Sequence, residues 1–240
     1  MEHGHTIEEI QTRIAQPNTT NHLKDFVFGG IDGAVTTFAI VAGVQGAGLS
    51  STVVIILGIA NVVADGFSMA AGNYSGTKAE RDDMARIREV EHRHIRDVPE
   101  GEMEEVRQIL MLKGLKGKTL EEAAKAITKD KNSWINLMMV DEYGKSPVDP
   151  EPWRSALATF LAFLICGLVP LLPFLTNVDQ PFVAASIATA GVFFSIGMLK
   201  SAWSLASWWR SGLETLAIGS TAAIIAYAIG YLLRGFGAGT

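Results

Sequence analysis

GGIDGAVTTFAIVAG (residues 29–43) and GIANVVADGFSMAAGNY (residues 58–74) are the stretches whose reading decides the fold. Neither alternates apolar with polar residues, and both lie in runs too long for strands, so each reads as a helix of membrane-spanning length. Each also carries acid where lipid belongs, Asp32 in the first and Asp65 in the second. Ionisable groups at membrane depth are costly and mark an ion or proton pathway. Asn61, Asp65 and Met69 are four residues apart and fall on one helical stripe. Amide and carboxylate oxygens alone suit hard cations, and a thioether beside them shifts the preference towards a transition metal such as Fe²⁺. The residues therefore point to metal-ion transport.

Outward from these runs, a chain of 240 residues that is 48% hydrophobic with mean hydropathy +0.24 is too apolar for an ordinary soluble domain. Charge is segregated, because residues 76–152 hold 14 of the 20 Lys and Arg and 17 of the 25 Asp and Glu. The flanks resolve into five apolar segments, 26–46, 53–74, 155–175, 182–199 and 213–233, each near the ~20 residues that cross a bilayer. The expected fold is all-α, a five-helix integral membrane protein with a cytosolic helical metal-binding domain inserted between helices 2 and 3. Its expected divisions are a cytosolic N-terminal segment (1–25), transmembrane helices 1–2 (26–75), the cytosolic domain (76–152), transmembrane helices 3–5 (153–234) and a C-terminal tail (235–240). No nucleic-acid partner is expected.

The loops 46–52 and 176–181 contain no Lys or Arg, whereas the central block and the 200–210 connection do. The positive-inside rule then places the N-terminus and the central domain in the cytosol, with Trp153, Trp203, Trp208 and Trp209 at that boundary. Residues 1–24 are polar and lack the apolar stretch of a signal peptide, so the first span is expected to direct insertion. His3 and His5 are expected in a flexible N-terminus. The single cysteine, Cys166, lies inside the third span and allows no intramolecular disulfide.

Counting inward from the expected cytosolic ends of the first two spans places Asp32 level with Met69, Thr36 with Asp65, and Ile40 with Asn61. Gly29 and Gly33, together with Gly66 and Gly72, allow close backbone approach. Glu214, at the expected start of the fifth span, either offsets the helix dipole or draws cations to the mouth. In the central block one long helix is expected to continue from the second span. Along it Glu91 and His94 form an Glu-x-x-His pair, as in carboxylate-bridged metal sites. Glu102 and Glu105 repeat the spacing after Pro99, and SWINLMMVDEYG supplies Met138, Met139 and Glu142. Carboxylate with thioether recurs in both parts of the chain, which favours a metal-collecting domain beside a metal path. Alternative functions are a membrane-anchored ferritin-like di-iron oxidase, which needs two Glu-x-x-His motifs where this chain has one, and a metal sensor, whose anchor has no use for aspartates.

The Asp32-Gly33 motif, the SMAAGNY run (68–74) and the Glu and Met-Met groups of the central block resemble the vacuolar iron transporter family. The resemblance implies a non-enzymatic secondary transporter and homodimer, moving Fe²⁺ and related divalent metals out of the cytosol in exchange for protons. It implies Asp32 and Met69 as path ligands. Glu91, Glu102, Glu105, Met138, Met139 and Glu142 match the family's cytosolic metal-binding positions, where Mn²⁺, Co²⁺, Ni²⁺ or Zn²⁺ can also bind. The expected location is a prokaryotic cell membrane, or a vacuolar membrane in a eukaryote. Two residues depart from the family pattern. Asn61 stands where plant-type members carry a glutamate, with Asp65 further along the stripe, and His94 stands where a glutamate is expected.

Overall fold

The computed structural model of the protein describes residues 4–16, 20–176 and 178–235. Among them the regular elements are all helical: α1 (Ile7–Ala15), α2 (Leu23–Ala47), α3 (Ser51–Asp97), α4 (Pro99–Leu112), α5 (Gly117–Thr128), α6 (Lys131–Asp141), α7 (Pro152–Leu168), α8 (Leu172–Leu175), α9 (Pro181–Lys200) and α10 (Trp208–Leu233). Five stretches of the described chain, Leu23–Ala47, Ser51–Asp97, Pro152–Leu175, Pro181–Trp203 and Trp208–Leu233, are long and apolar enough to cross a membrane. The chain divides into two compact units, Asn21–Gly76 with Pro152–Thr240, and Met1–Thr20 with Thr77–Glu151.

The apolar unit is built around α2, which packs against α7, α9 and α10. Contact with α7 is made at glycine: a Cβ on Gly33 would sit 2.5 Å from the Phe163 carbonyl oxygen, and one on Gly29 would collide with that of Thr159. The small-residue stripe of the first span thus serves the third span rather than the second. Phe38, Val41, Val54, Val62, Leu171 and Phe174 close the core, and Phe38 stacks on Phe182 with ring centroids 6.3 Å apart. Ile56, Phe67, Ile187, Ile224 and Leu232 remain exposed on the outside. Such a coat of large apolar side chains belongs in lipid, and the chain is an integral membrane protein. Pro170 and Pro173 remove backbone donors, so the expected continuous third span is interrupted by a 3-10 turn at Val169–Leu171 before α8.

Several expected boundaries move. Helix α2 begins at Leu23, which puts Asp25 inside a helix rather than in a tail. Helix α3 runs on without interruption to Asp97, as its sequence led us to expect. Helix α10 starts at Trp208, so Glu214 lies beyond its first turn, where it pairs with Lys200 at 3.3 Å instead of capping the dipole. The N-terminal segment expected to be flexible contains α1, started by a capping box in which Thr6 and Glu9 satisfy each other's backbone N–H groups. His5 is exposed ahead of that helix, and His3 lies outside the described residues.

In the charged unit, Pro99 sits at the first position of α4, where its missing N–H costs nothing, and separates α4 from α3. Asp130 caps α6 by accepting from the Ser133 N–H at 2.9 Å. Two apolar clusters hold the helices together. One joins Val106, Leu110, Leu120, Ala124, Trp134 and Met138; the other joins Met84, Ile87, Ile135 and Met139, with Tyr143 packed against it.

Candidate functional site

In the apolar unit, Asn61 of α3 donates its amide to the hydroxyls of Thr36 at 3.3 Å and Thr37 at 3.5 Å on α2. Thr36 in turn donates to the backbone carbonyl of Asp32 at 2.9 Å. Counting back from the Asn61–Thr36 bond along the two antiparallel helices sets Asp65 of α3 opposite Asp32 of α2. This register differs by about one turn from the sequence expectation, which set Thr36 opposite Asp65 and Ile40 opposite Asn61. The expectation took the cytosolic ends of the two spans as its origin, but α2 starts earlier than Phe26 and α3 does not end at Tyr74. The origin that matters is the tight turn between Ala47 and Ser51, where Gly48 adopts φ +72°. The result is two half-buried carboxylates facing across a helix pair, followed inward by an amide and two hydroxyls.

Met69 lies one turn along the stripe from Asp65 and lines a cavity of about 460 Å³ with Lys24, Asp25, Phe28, Ser68, Gly72 and Asn73. Next to it Asn73 donates to Asp25 Oδ1 at 2.9 Å, to Thr159 Oγ1 at 2.7 Å and to the Ser155 carbonyl at 3.3 Å. His22 Nδ1 lies 3.4 Å from Asp25 Oδ2 and 3.2 Å from Ser155 Oγ. This polar knot ties α2, α3 and α7 together. The sequence reading missed it because Asp25 was assigned to the tail, although Asn73 inside SMAAGNY was the signal.

In the charged unit, the structure brings Glu91, His94, Glu102, Glu105 and Glu142 into one electrostatic cluster. Glu91 and Glu102 are its buried members, 0% and 5% exposed. Tyr143 donates to Glu91 Oε1 at 2.9 Å, and His94 Nδ1 lies 3.2 Å from Glu102 Oε1. Glu91 Oε2 and Glu102 Oε2 are buried without any protein donor. Acceptors in this state need a proton or a cation between them. Burial, followed by the charges of Glu91 and Glu105, pushes the Glu102 carboxyl up to about 7. Desolvation and the same neighbours raise Glu142 as well. Burial and the bond to Glu91 raise the Tyr143 phenol above its ordinary value, which keeps it a donor.

Glu105 and Glu142 are exposed at the edge of the cluster. Met138 and Met139 are buried in the two apolar clusters, so packing accounts for both. Among the described residues no three His, Cys, Asp or Glu side chains converge closely enough to form a finished metal site. Tyr143 was not singled out from the sequence, although it immediately follows Glu142.

The pattern that defines the VIT family matches residues 23–231. Vacuolar iron transporter 1 of Arabidopsis thaliana is 32% identical over 238 residues, 95% of each chain, and that of Eucalyptus grandis is 33% identical over 94% of each. The vacuolar iron transporter of Toxoplasma gondii is 31% identical over 90% of this chain and 76% of its own. The chain belongs to the VIT family.

Proposed function

We propose that this VIT-family protein is a secondary transporter that exports Fe²⁺ and related divalent transition metals from the cytosol in exchange for protons. The observation that carries the reading is the polar seam between α2 and α3. Two carboxylates face each other inside apolar helices, with the Asn61 amide and the Thr36 and Thr37 hydroxyls beyond them. Such a pair is costly in lipid unless a cation or a proton occupies it. In this reading Asp32, Asp65, Asn61 and Met69 take the ion in turn, and protons return to the carboxylates as the metal leaves.

The five long apolar helices cross the membrane, and residues 76–152 form a cytosolic metal-collecting domain with the N-terminus on the same side. Glu91, Glu102, Glu105, His94 and Glu142 gather the ion there. Met138 and Met139 reach the ion only through a shift of the apolar packing that now holds them. Two copies of the chain assemble as a homodimer. Reconstitution into sealed vesicles tests the reading: Fe²⁺ should enter against its own gradient when the lumen is acidic and should stop when the pH gradient is collapsed. Fe²⁺ movement indifferent to the gradient would reject exchange, and no movement of metal would reject transport.

A further inference from the structure

We infer that Tyr143 is a positioning residue of the cytosolic collecting site, fixing one oxygen of Glu91 so that the other is presented to the metal; the inference rests on the metal-collecting role proposed above. Glu91 is wholly buried, and Tyr143 takes its Oε1 at 2.9 Å while Oε2 has no donor. Glu102 is arranged alike, with His94 at Oε1 and an unpartnered Oε2. Each buried acid is therefore held at one oxygen by a neighbour, while its second oxygen has no donor other than a proton shared with the other acid. This is how outer partners orient metal-binding carboxylates.

The chain around Tyr143 is built to hold the phenol still. Helix α6 ends with Glu142 and Tyr143 N–H groups both bonded to the Met138 carbonyl, at 2.9 and 3.3 Å, and Gly144 then reverses the chain at φ +62°. Lys145 is anchored twice, by its N–H to the Met139 carbonyl at 2.8 Å and by its ammonium to Asp83 of α3 at 2.6 Å. Between these anchors the ring packs on the cluster of Met84, Ile87, Ile135 and Met139. A ring packed on this cluster and anchored at both flanking backbones holds its hydroxyl at Glu91, with the exposed Glu142 the other carboxylate in its reach.

The test uses the full chain in detergent, in an Asp32→Asn background that silences the membrane path, with Mn²⁺ as probe and its free-ion paramagnetic resonance signal as readout. Tyr143→Phe keeps the ring and removes the hydroxyl. It should weaken Mn²⁺ binding by about tenfold or more, and in combination with Glu91→Gln it should bind no worse than Glu91→Gln alone. Unchanged affinity in the folded Tyr143→Phe protein overturns the inference, and so does a loss that adds in full to that of Glu91→Gln. Should Tyr143→Phe not fold, the near-ultraviolet difference spectrum decides. Mn²⁺ must perturb a tyrosine in the Asp32→Asn protein and must not do so once Glu91→Gln is added; no tyrosine signal overturns the inference. Wild-type-like Mn²⁺ binding after both Glu91→Gln and Glu102→Gln shows instead that the collecting site itself was wrongly placed, and the inference falls with it.

Discussion

Asn61 on α3 donates to the Thr36 hydroxyl on α2 at 3.3 Å, which marks the register that the Gly48 turn gives the two helices carrying the acidic pair. Thr36 in turn donates to the main-chain carbonyl of Asp32 one turn back along α2, which leaves the Asp32 carboxylate outside this bond. The same register sets Asp65 against Asp32 rather than one turn away from it.

That facing pair leads to the first prediction. Asp65→Asn is nearly isosteric, keeps a hydrogen-bonding group and removes a repulsion, so the protein should fold at least as stably as wild type. Its Fe²⁺ flux should fall by about tenfold or more and lose its dependence on the pH gradient. Asn61→Glu should restore gradient dependence to that variant, because both positions share one stripe. Uptake into vesicles with and without an imposed gradient measures both effects; gradient-dependent flux in Asp65→Asn would leave the exchange to Asp32.

A second expectation separates ligand from packing at Met69. Met69→Leu conserves volume and loses sulfur, so its stability should change by less than about 1.5 kcal/mol. Fe²⁺ transport should drop several-fold relative to Mn²⁺ transport, since the softer ion gains more from a thioether. Competition uptake of the two ions in one vesicle preparation gives the ratio directly. An equal loss for both ions would make Met69 a wall residue of its cavity.

How much of this was legible in the sequence follows from which interactions are local. The apolar runs around Asp32 and Asp65, the break at Pro99 and the continuity of α3 depend on neighbours in the chain, and they could be read directly. The pairing of Asn61 with Thr36 could not be counted from helix ends, because it is set by the turn at Gly48 and by where α2 starts. Asp25 with Asn73, and Tyr143 with Glu91, are 48 and 52 residues apart, so no spacing rule connects them. Met138 and Met139 were legible as a motif, but their burial in two different apolar clusters depends on how α6 rotates between its neighbours.

The glycines of α2 supply a stability test that is independent of transport. At Gly33 an added methyl meets Phe163 backbone atoms at 2.5 and 2.9 Å, and backbone inside a helix cannot step aside. Gly33→Ala should therefore cost about 1–3 kcal/mol or more. Gly72 has nothing within 4 Å of an added Cβ, and Gly72→Ala should be neutral to slightly stabilising. Thermal unfolding in one detergent compares the two; equal midpoints would contradict the packing of α2 on α7.

The last prediction concerns the proton that competes with metal at Glu102. Its carboxyl is raised from 4.5 to about 7, chiefly by burial and then by the charge of Glu91, so the folded, metal-free protein holds this proton more tightly than the unfolded chain does. The sign follows from linkage. Stability from this group is full below about pH 4.5 and is lost as pH rises through about 7, because the ionised acid is then buried beside another with its Oε2 lacking a donor. Metal affinity runs the opposite way, since a divalent ion needs the ionised carboxylate. Mn²⁺ affinity should climb by up to about tenfold per pH unit below 7 and level off above it. Metal should also raise the unfolding temperature most at alkaline pH, where the empty site is least stable. Glu102→Gln should remove the proton, the slope and the alkaline destabilisation together, while weakening Mn²⁺ binding at every pH. Titrations and melts of the full chain between about pH 5.5 and about pH 8 read all of these. An affinity that stays flat across that range would mean that Glu102 is neither protonated nor displaced when metal binds.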